Sequence, residues 1–169
     1  MDFTLTERQQ AVAGLAADVL TAEDPWKDLA RAGLLVVSPP DGLGVLEVAV
    51  LLTEIGKRAP SMKALATLMT GALPLARWGR PDLRSDVLRG VASGELLLTA
   101  ALREPSNPQP FPPATAVTDG TITGLKIGVP YAAEAHLLLI PARLPPARLT
   151  PPLSDSMIMG SFDRIGRVG

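Results

Sequence analysis

The sequence has 169 residues, 47% of them apolar, so it can bury a hydrophobic core, which argues against global disorder. A net charge of −1 gives no sign of a nucleic-acid partner, and the lack of cysteine excludes disulfides, thiolate metal ligands and a cysteine nucleophile. No apolar run approaches the ~20 residues that span a bilayer and the start lacks a signal-peptide pattern, so we expect a soluble, cytoplasmic chain without a membrane partner.

Local signals at the start of the chain predict three helices. Thr6 and Gln9 have the spacing of a capping box, which marks the beginning of the first helix. The Asp24–Pro25 step begins a second, short helix that Gly33 can end. A third, strongly apolar helix is predicted from Val45 to about Arg58.

Two more helices are expected before the chain changes character. Ser61 is predicted to cap a helix over residues 61–79, whose apolar residues go nearly all round and indicate a buried position. Pro74 should kink or break that helix, because proline lacks an N–H and clashes with the preceding turn. A last helix should begin near Pro81 and stop at Gly94.

The second half of the chain is rich in proline and predicts strands. Glu95 to Leu102 is a short apolar run between breakers, typical of a buried strand. Asp119–Gly120, between alternating residues, is a strong hairpin signal. Residues 135–144 predict another strand, and residues 154–166 one more. The whole is therefore an α+β protein, a helical bundle followed by an antiparallel sheet.

The residues alone identify no chemistry. His136 is the single histidine, and without a nearby cysteine it indicates a structural role and no metal site. The sequence has no Gly-x-Ser-x-Gly elbow and neither of the standard glycine-rich phosphate loops, so it offers no catalytic nucleophile and no phosphate cradle.

Five stretches, in order along the chain, resemble the acyl-CoA dehydrogenase family. They are "MDFTLTERQQAVAGLAADVL", "WKDLARAGLLVVSPPDGLG", "LEVAVLLTEIGKRA", "ASGELLLTAALREP" and "DGTITGLKIGVPYAAEAHLLLIPAR". The sequence is most similar to the shortened subunits of heteromeric acyl-CoA dehydrogenases that actinobacteria use in steroid degradation.

This resemblance implies a domain order and the place of the catalytic base. We expect an N-terminal helical domain in residues 1–94 and an incomplete middle β-domain in residues 95–169, with the family's C-terminal four-helix bundle absent. The family's base, a carboxylate that removes the α-proton of the thioester, belongs to that bundle. No residue of this chain is therefore assigned a catalytic role.

The resemblance also implies a flavin site with altered side chains. The family's Thr-Glu-Pro threonine becomes Arg103, its aromatic residue against the flavin becomes Gly128, and a second threonine becomes Pro130. The Gly-Ser-Asp step becomes "PQPFPP". Backbone groups around Leu102, Arg103 and Val129 could still reach the flavin, so Leu102, Arg103, Gly128, Val129 and Pro130 are the candidate FAD-binding residues. Arg103 faces a flavin or CoA phosphate or, the reading we favour, pairs with an acidic side chain.

Two functions follow from the resemblance. In the first, the chain is a subunit of an FAD-dependent enzyme of lipid metabolism that desaturates an acyl-CoA substrate, with a steroid thioester as one option. A homologous acyl-CoA dehydrogenase subunit would then complete the flavin site, for example in a heterotetramer. In the second, the chain is a structural or regulatory subunit that binds no flavin. An unrelated helical lipid carrier is disfavoured, because it leaves the β-domain stretches unexplained.

Overall fold

The computed structural model describes residues 4–21, 24–37, 42–58, 63–105 and 112–144, together with the backbone of 157–161. The chain divides into two units, Met1–Leu96 and Leu97–Gly169. We keep the boundary between a helical domain of residues 1–94 and a β-domain of residues 95–169 as a proposal. The predicted helix cap at Ser61, and most of the "PQPFPP" stretch, lie outside the described residues.

The first three helices begin where the local signals predict, and the second and third also end close to the predicted residues. Helix α1 spans Glu7–Val19, and Thr6 Oγ1 accepts from the Gln9 N–H (3.3 Å) while the Gln9 side chain accepts from the Thr6 N–H (3.1 Å). Helix α2, Pro25–Arg31, is capped by Asp24, and Gly33 follows it with φ +74°. Helix α3 spans Val45–Lys57 and packs along α1.

We predicted that Pro74 would kink or break its helix, and the break is absent because the helix continues through Pro74. A π-helical segment, Leu65–Ala72, leads directly into helix α4, Leu73–Trp78, and Pro74 lies in the first turn of α4. Helical winding is continuous through Pro74, which has no N–H to donate to the preceding turn. The wider π turn, with Leu73 N–H bonded to Leu68 C=O, therefore takes the place of a break.

The last helix and the core of the first unit agree with the apolar pattern. Helix α5 spans Pro81–Ala92, and Gly94 follows with φ +76°. The indole N–H of Trp26 donates to the Gly94 carbonyl (2.9 Å), which fixes this end of the helix against α2. Fully buried side chains come from α2, α3, the π-helical segment, α5 and the turn that follows α2: Leu29, Val48, Leu51, Leu68, Val91 and, in the turn, Leu35.

The second unit contains the expected strands, with one pair in an unexpected direction. Strands β1 Leu98–Ala100, β4 Leu137–Pro141 and β5 Met157–Ser161 form a sheet in the order β1-β4-β5. The β4–β5 pair is antiparallel as predicted, but β1 runs parallel to β4. Parallel neighbours need a long crossover, and here the connection includes the separate hairpin of β2 Ala116–Thr118 and β3 Thr121–Thr123.

Two local features of this unit confirm the sequence interpretation. Asp119 (φ +49°) and Gly120 (φ +76°) form the turn of the hairpin, with both residues in the left-handed conformation that such a turn requires. His136 has a structural role: its backbone N–H donates to the Leu97 carbonyl (2.9 Å), and its Nδ1 accepts from the Leu97 N–H (3.0 Å). These two hydrogen bonds lie directly before the first residue pair of β1 and β4, Leu98 with Leu137.

Candidate functional site

Two segments of the second unit bring the candidate flavin-binding residues together. Arg103 and Ile127 pair in antiparallel fashion, and the Ile127 N–H donates to the Arg103 carbonyl (3.0 Å). In that register Leu102 lies opposite Gly128. Four of the five residues singled out from the sequence thus lie on two adjacent segments, and Pro130 follows. We call Leu102, Arg103, Gly128, Val129 and Pro130 the candidate strip.

Most of the candidate strip is open to solvent. Leu102 is 40% exposed, and Arg103, Gly128 and Pro130 are also exposed. Val129 is half-buried and packs against an apolar cluster in the sheet. Gly128 has φ +61°, and a Cβ placed on it would lie 4.0 Å from Arg103 Nη1, so the guanidinium lies over the glycine.

The polar groups of the candidate strip are largely unused. Among the described residues, the amide N–H groups of Leu102, Gly128 and Val129 donate to no protein acceptor, and Arg103 has no acidic partner. The ion pair that we favoured for Arg103 is therefore not formed within this part of the chain. The strip presents donors and one positive charge, and it contributes no hydroxyl group or aromatic ring.

A buried carboxylate lies directly behind the candidate strip. Glu104, 4% exposed, accepts from Ala114 N–H (2.6 Å), Thr115 N–H (2.9 Å), Thr115 Oγ1 (2.6 Å) and Lys126 Nζ (2.8 Å). Burial by itself would raise the pKa of Glu104. The hydrogen bonds from Lys126 and Thr115 have a larger, opposite effect, and the pKa is lowered to about 2. Glu104 is therefore ionised and fully hydrogen-bonded, and it makes a poor general base.

Lys126 joins this carboxylate to the sheet. Its side chain is 9% exposed, and its ammonium group donates both to Glu104 and to the Pro141 carbonyl (3.0 Å) in β4. The register that pairs Arg103 with Ile127 also places Glu104 opposite Lys126. Both residues belong to segments that resemble the acyl-CoA dehydrogenase family. The sequence did not predict that they form a pair, because only the register of the two segments shows that they face each other.

Close backbone packing surrounds the pair. A Cβ on Gly124 would overlap Thr115 Oγ1 and come within 2.8 Å of Thr115 Cα. Only glycine therefore lets the segment that carries Lys126 lie against the segment that binds Glu104.

Other features of the described residues lie away from the candidate strip. An apolar cavity of about 230 Å³ lies in the first unit, lined by Leu20, Trp26, Leu29 and Ile55 among others. Where the structure describes the chain, no group of three or more acidic or histidine side chains could hold a metal ion. None of the described helices is long and apolar enough to cross a membrane.

Comparison with known proteins gives these features a family context. Residues 2–95 match the acyl-CoA dehydrogenase N-terminal domain. The chain is 40% identical over 147 residues to acyl-CoA dehydrogenase FadE28 of Mycobacterium tuberculosis (strain ATCC 25618 / H37Rv), in an alignment covering 84% of this chain and 43% of that protein. It is 29% identical to FadE27 of the same organism, again over 84% of this chain and 44% of that protein.

Solved structures superpose on almost the whole length of this chain. A variant of the Tcur3481-Tcur3483 steroid ACAD is 30% identical with a TM-score of 0.77, covering 95% of this chain and 49% of that one. The ChsE4-ChsE5 complex from Mycobacterium tuberculosis is 25% identical with a TM-score of 0.75 and the same coverage. The chain thus spans about half the length of the relatives it matches. The match to the N-terminal domain and the 40% identity to FadE28 show that the chain belongs to the acyl-CoA dehydrogenase family.

Proposed function

We propose that this chain is one subunit of a heteromeric, FAD-dependent acyl-CoA dehydrogenase, and that a homologous partner subunit completes the flavin site. Family membership supports an acyl-CoA thioester as the substrate. Two similar structures, the Tcur3481-Tcur3483 steroid ACAD and the ChsE4-ChsE5 complex, are each named as a combination of two proteins. This supports a two-subunit assembly for the present chain. The word steroid in the first name supports a steroid thioester as the acyl group.

The unused donors of the candidate strip carry this proposal. Amide N–H groups of Leu102, Gly128 and Val129, with the Arg103 guanidinium beside them, suit the acceptor-rich edge of an isoalloxazine ring. Negative charge gathers at that edge when flavin is reduced, and fixed donors stabilise it. The strip fits one edge of a flavin but supplies no hydroxyl and no stacking ring, so those groups come from outside the strip, and we assign them to the homologous partner subunit.

The chemistry divides between the two subunits accordingly. Bound FAD supplies the hydride acceptor for α,β-desaturation of the thioester. In this chain, the amides of Leu102 and Val129 would hold the ring edge, and Arg103 would place a positive charge beside it. The nearest carboxylate, Glu104, is buried, accepts four hydrogen bonds and has a pKa lowered to about 2 by them, so it is a poor acceptor for the α-proton. The base must therefore lie outside the candidate strip.

The test is to co-express the chain with a homologous subunit and to measure FAD bound per heterodimer. We expect one FAD per heterodimer, little FAD on this chain alone, and desaturation of a steroid-CoA with an artificial electron acceptor. Arg103→Ala should weaken FAD binding about tenfold, the size expected for a lost charged hydrogen bond. Arg143→Ala, which removes another exposed arginine of the same unit, should leave FAD binding unchanged.

Two outcomes would contradict this assignment. A stable complex that carries no FAD would exclude a flavin enzyme. A complex that binds FAD no more tightly than the partner subunit alone would mean that the partner holds the cofactor by itself, and this chain would then be a structural or regulatory subunit.

A further inference from the structure

We propose that Glu104 and Lys126 are positioning residues that hold the two halves of the candidate strip at the spacing which flavin binding requires. This inference rests on the proposed function and adds two residues to it. Neither side chain would touch the cofactor, since both are buried behind the strip.

The register gives the pair direct control over the strip. Glu104 follows Arg103 in the chain, and Lys126 precedes Gly128 by two residues, so the ion pair joins the same two segments that carry the free donors. Between these segments the Ile127–Arg103 backbone contact (3.0 Å) is the other hydrogen bond that the described residues make. Without the ion pair, the separation of Leu102 from Gly128 would depend on that single hydrogen bond and on the packing of Val129 against the apolar cluster that contains Ala101.

The pair also ties the strip to the rest of the second unit. Glu104 accepts two backbone N–H groups, from Ala114 and Thr115, and Lys126 donates to the Pro141 carbonyl in β4. One carboxylate and one ammonium group thus fix four segments relative to one another. Replacing either charge would leave the other buried without its partner, whereas replacing both would leave none.

A purely structural role is the competing explanation, and it makes a different prediction. Removing one partner of a buried ion pair leaves an uncompensated charge, so the neutral, similarly shaped pair Glu104→Gln with Lys126→Met should be more stable than either single variant, although a glutamine amide accepts fewer hydrogen bonds than the carboxylate. If the ion pair sets the geometry of the strip, that double variant will still bind FAD poorly. Stability and flavin binding should therefore separate in the double variant.

The experiment uses the co-purified heteromer with four changes to this chain: Glu104→Gln, Lys126→Met, the double variant, and Glu54→Gln. Glu54 is the matched control, a buried carboxylate that pairs with Lys57 and Arg58 in the first unit. Three quantities are measured: the FAD dissociation constant, the visible absorption spectrum and reduction potential of bound FAD, and the unfolding midpoint.

We expect the double variant to have a higher unfolding midpoint than either single variant, to bind FAD at least tenfold more weakly than the wild type, and to shift the flavin spectrum and potential. Glu54→Gln should leave all the flavin measurements unchanged. The inference is overturned if the double variant folds and binds FAD with the wild-type dissociation constant and spectrum while Arg103→Ala weakens binding, a result that would leave the proposed function intact. A wild-type heteromer without FAD would refute both.

Discussion

The free energy of unfolding of the second unit should fall at low pH when the Glu104 carboxylate becomes protonated. The pKa of Glu104 is about 2 in the folded chain, against 4.5 for an ordinary glutamate, because hydrogen bonds from Lys126 and Thr115 outweigh the effect of burial. The folded state therefore holds its proton less tightly than the unfolded state. This contribution is fully present above pH ~4.5 and is lost as the pH falls towards ~2.

The size of the effect follows from the two pKa values. A tenfold change in proton affinity is worth about 1.4 kcal/mol, so the difference corresponds to roughly 3 kcal/mol of folding free energy at neutral pH. About 2 kcal/mol of this should be gone by pH 3. Glu104→Gln, which cannot ionise, should lack this dependence.

The assay is urea-induced unfolding of the wild type and of Glu104→Gln at pH 7, 5, 4 and 3. Tyr131, the single tyrosine, reports on the second unit, since both tryptophans, Trp26 and Trp78, lie in the first. At pH 7 the wild type should be more stable by about 2–3 kcal/mol, and the difference should shrink steadily as the pH falls. Other carboxylates titrate equally in both proteins and cancel. A difference that stays constant from pH 7 to pH 3 would refute the reasoning.

Two further pairs of substitutions test the packing around this carboxylate. Gly124→Ala should destabilise the second unit by about 2–3 kcal/mol in the same tyrosine assay, because the added methyl group overlaps Thr115. Gly56→Ala lies on the open face of α3 and should stabilise the first unit by about 0.5–1 kcal/mol, measured by tryptophan fluorescence. Equal effects of the two changes would contradict the close approach. Thr99→Val should be neutral or slightly stabilising, because the Thr99 hydroxyl is buried without a hydrogen bond among the described residues, but Thr115→Val should cost about 1–3 kcal/mol, since it removes a donor to Glu104. A large loss for Thr99→Val would mean that its hydroxyl has a partner.

Helix ends were predictable because their signals are local. The capping box at Thr6, the Asp24 cap and the Gly94 stop each depend on residues within one turn, and the structure has all three. The hairpin turn at Asp119 is local in the same way. Pro74 shows the limit of such rules, since a change from π-helical to α-helical winding accommodates a residue that propensity alone treats as a break.

Contacts between distant segments were beyond the sequence. The parallel pairing of Leu98 with Leu137 joins residues that are far apart in the chain, and alternation of apolar residues carries no information on strand direction. The candidate strip came from the resemblance, and its assembly became visible only through the pairing of Arg103 with Ile127. The Glu104–Lys126 ion pair depends on that same register, so no local pattern could have revealed it.

The contact between His136 and Leu97 makes the single imidazole a reporter of its own hydrogen bond at the start of the β1–β4 pair. Nδ1 accepts from the Leu97 N–H, so its lone pair is not available to a reagent while the contact holds. Reagents that acylate histidine, such as diethyl pyrocarbonate, should react at Nδ1 when the imidazole leaves the Leu97 amide. The rate of labelling at Nδ1 then measures how often this contact opens.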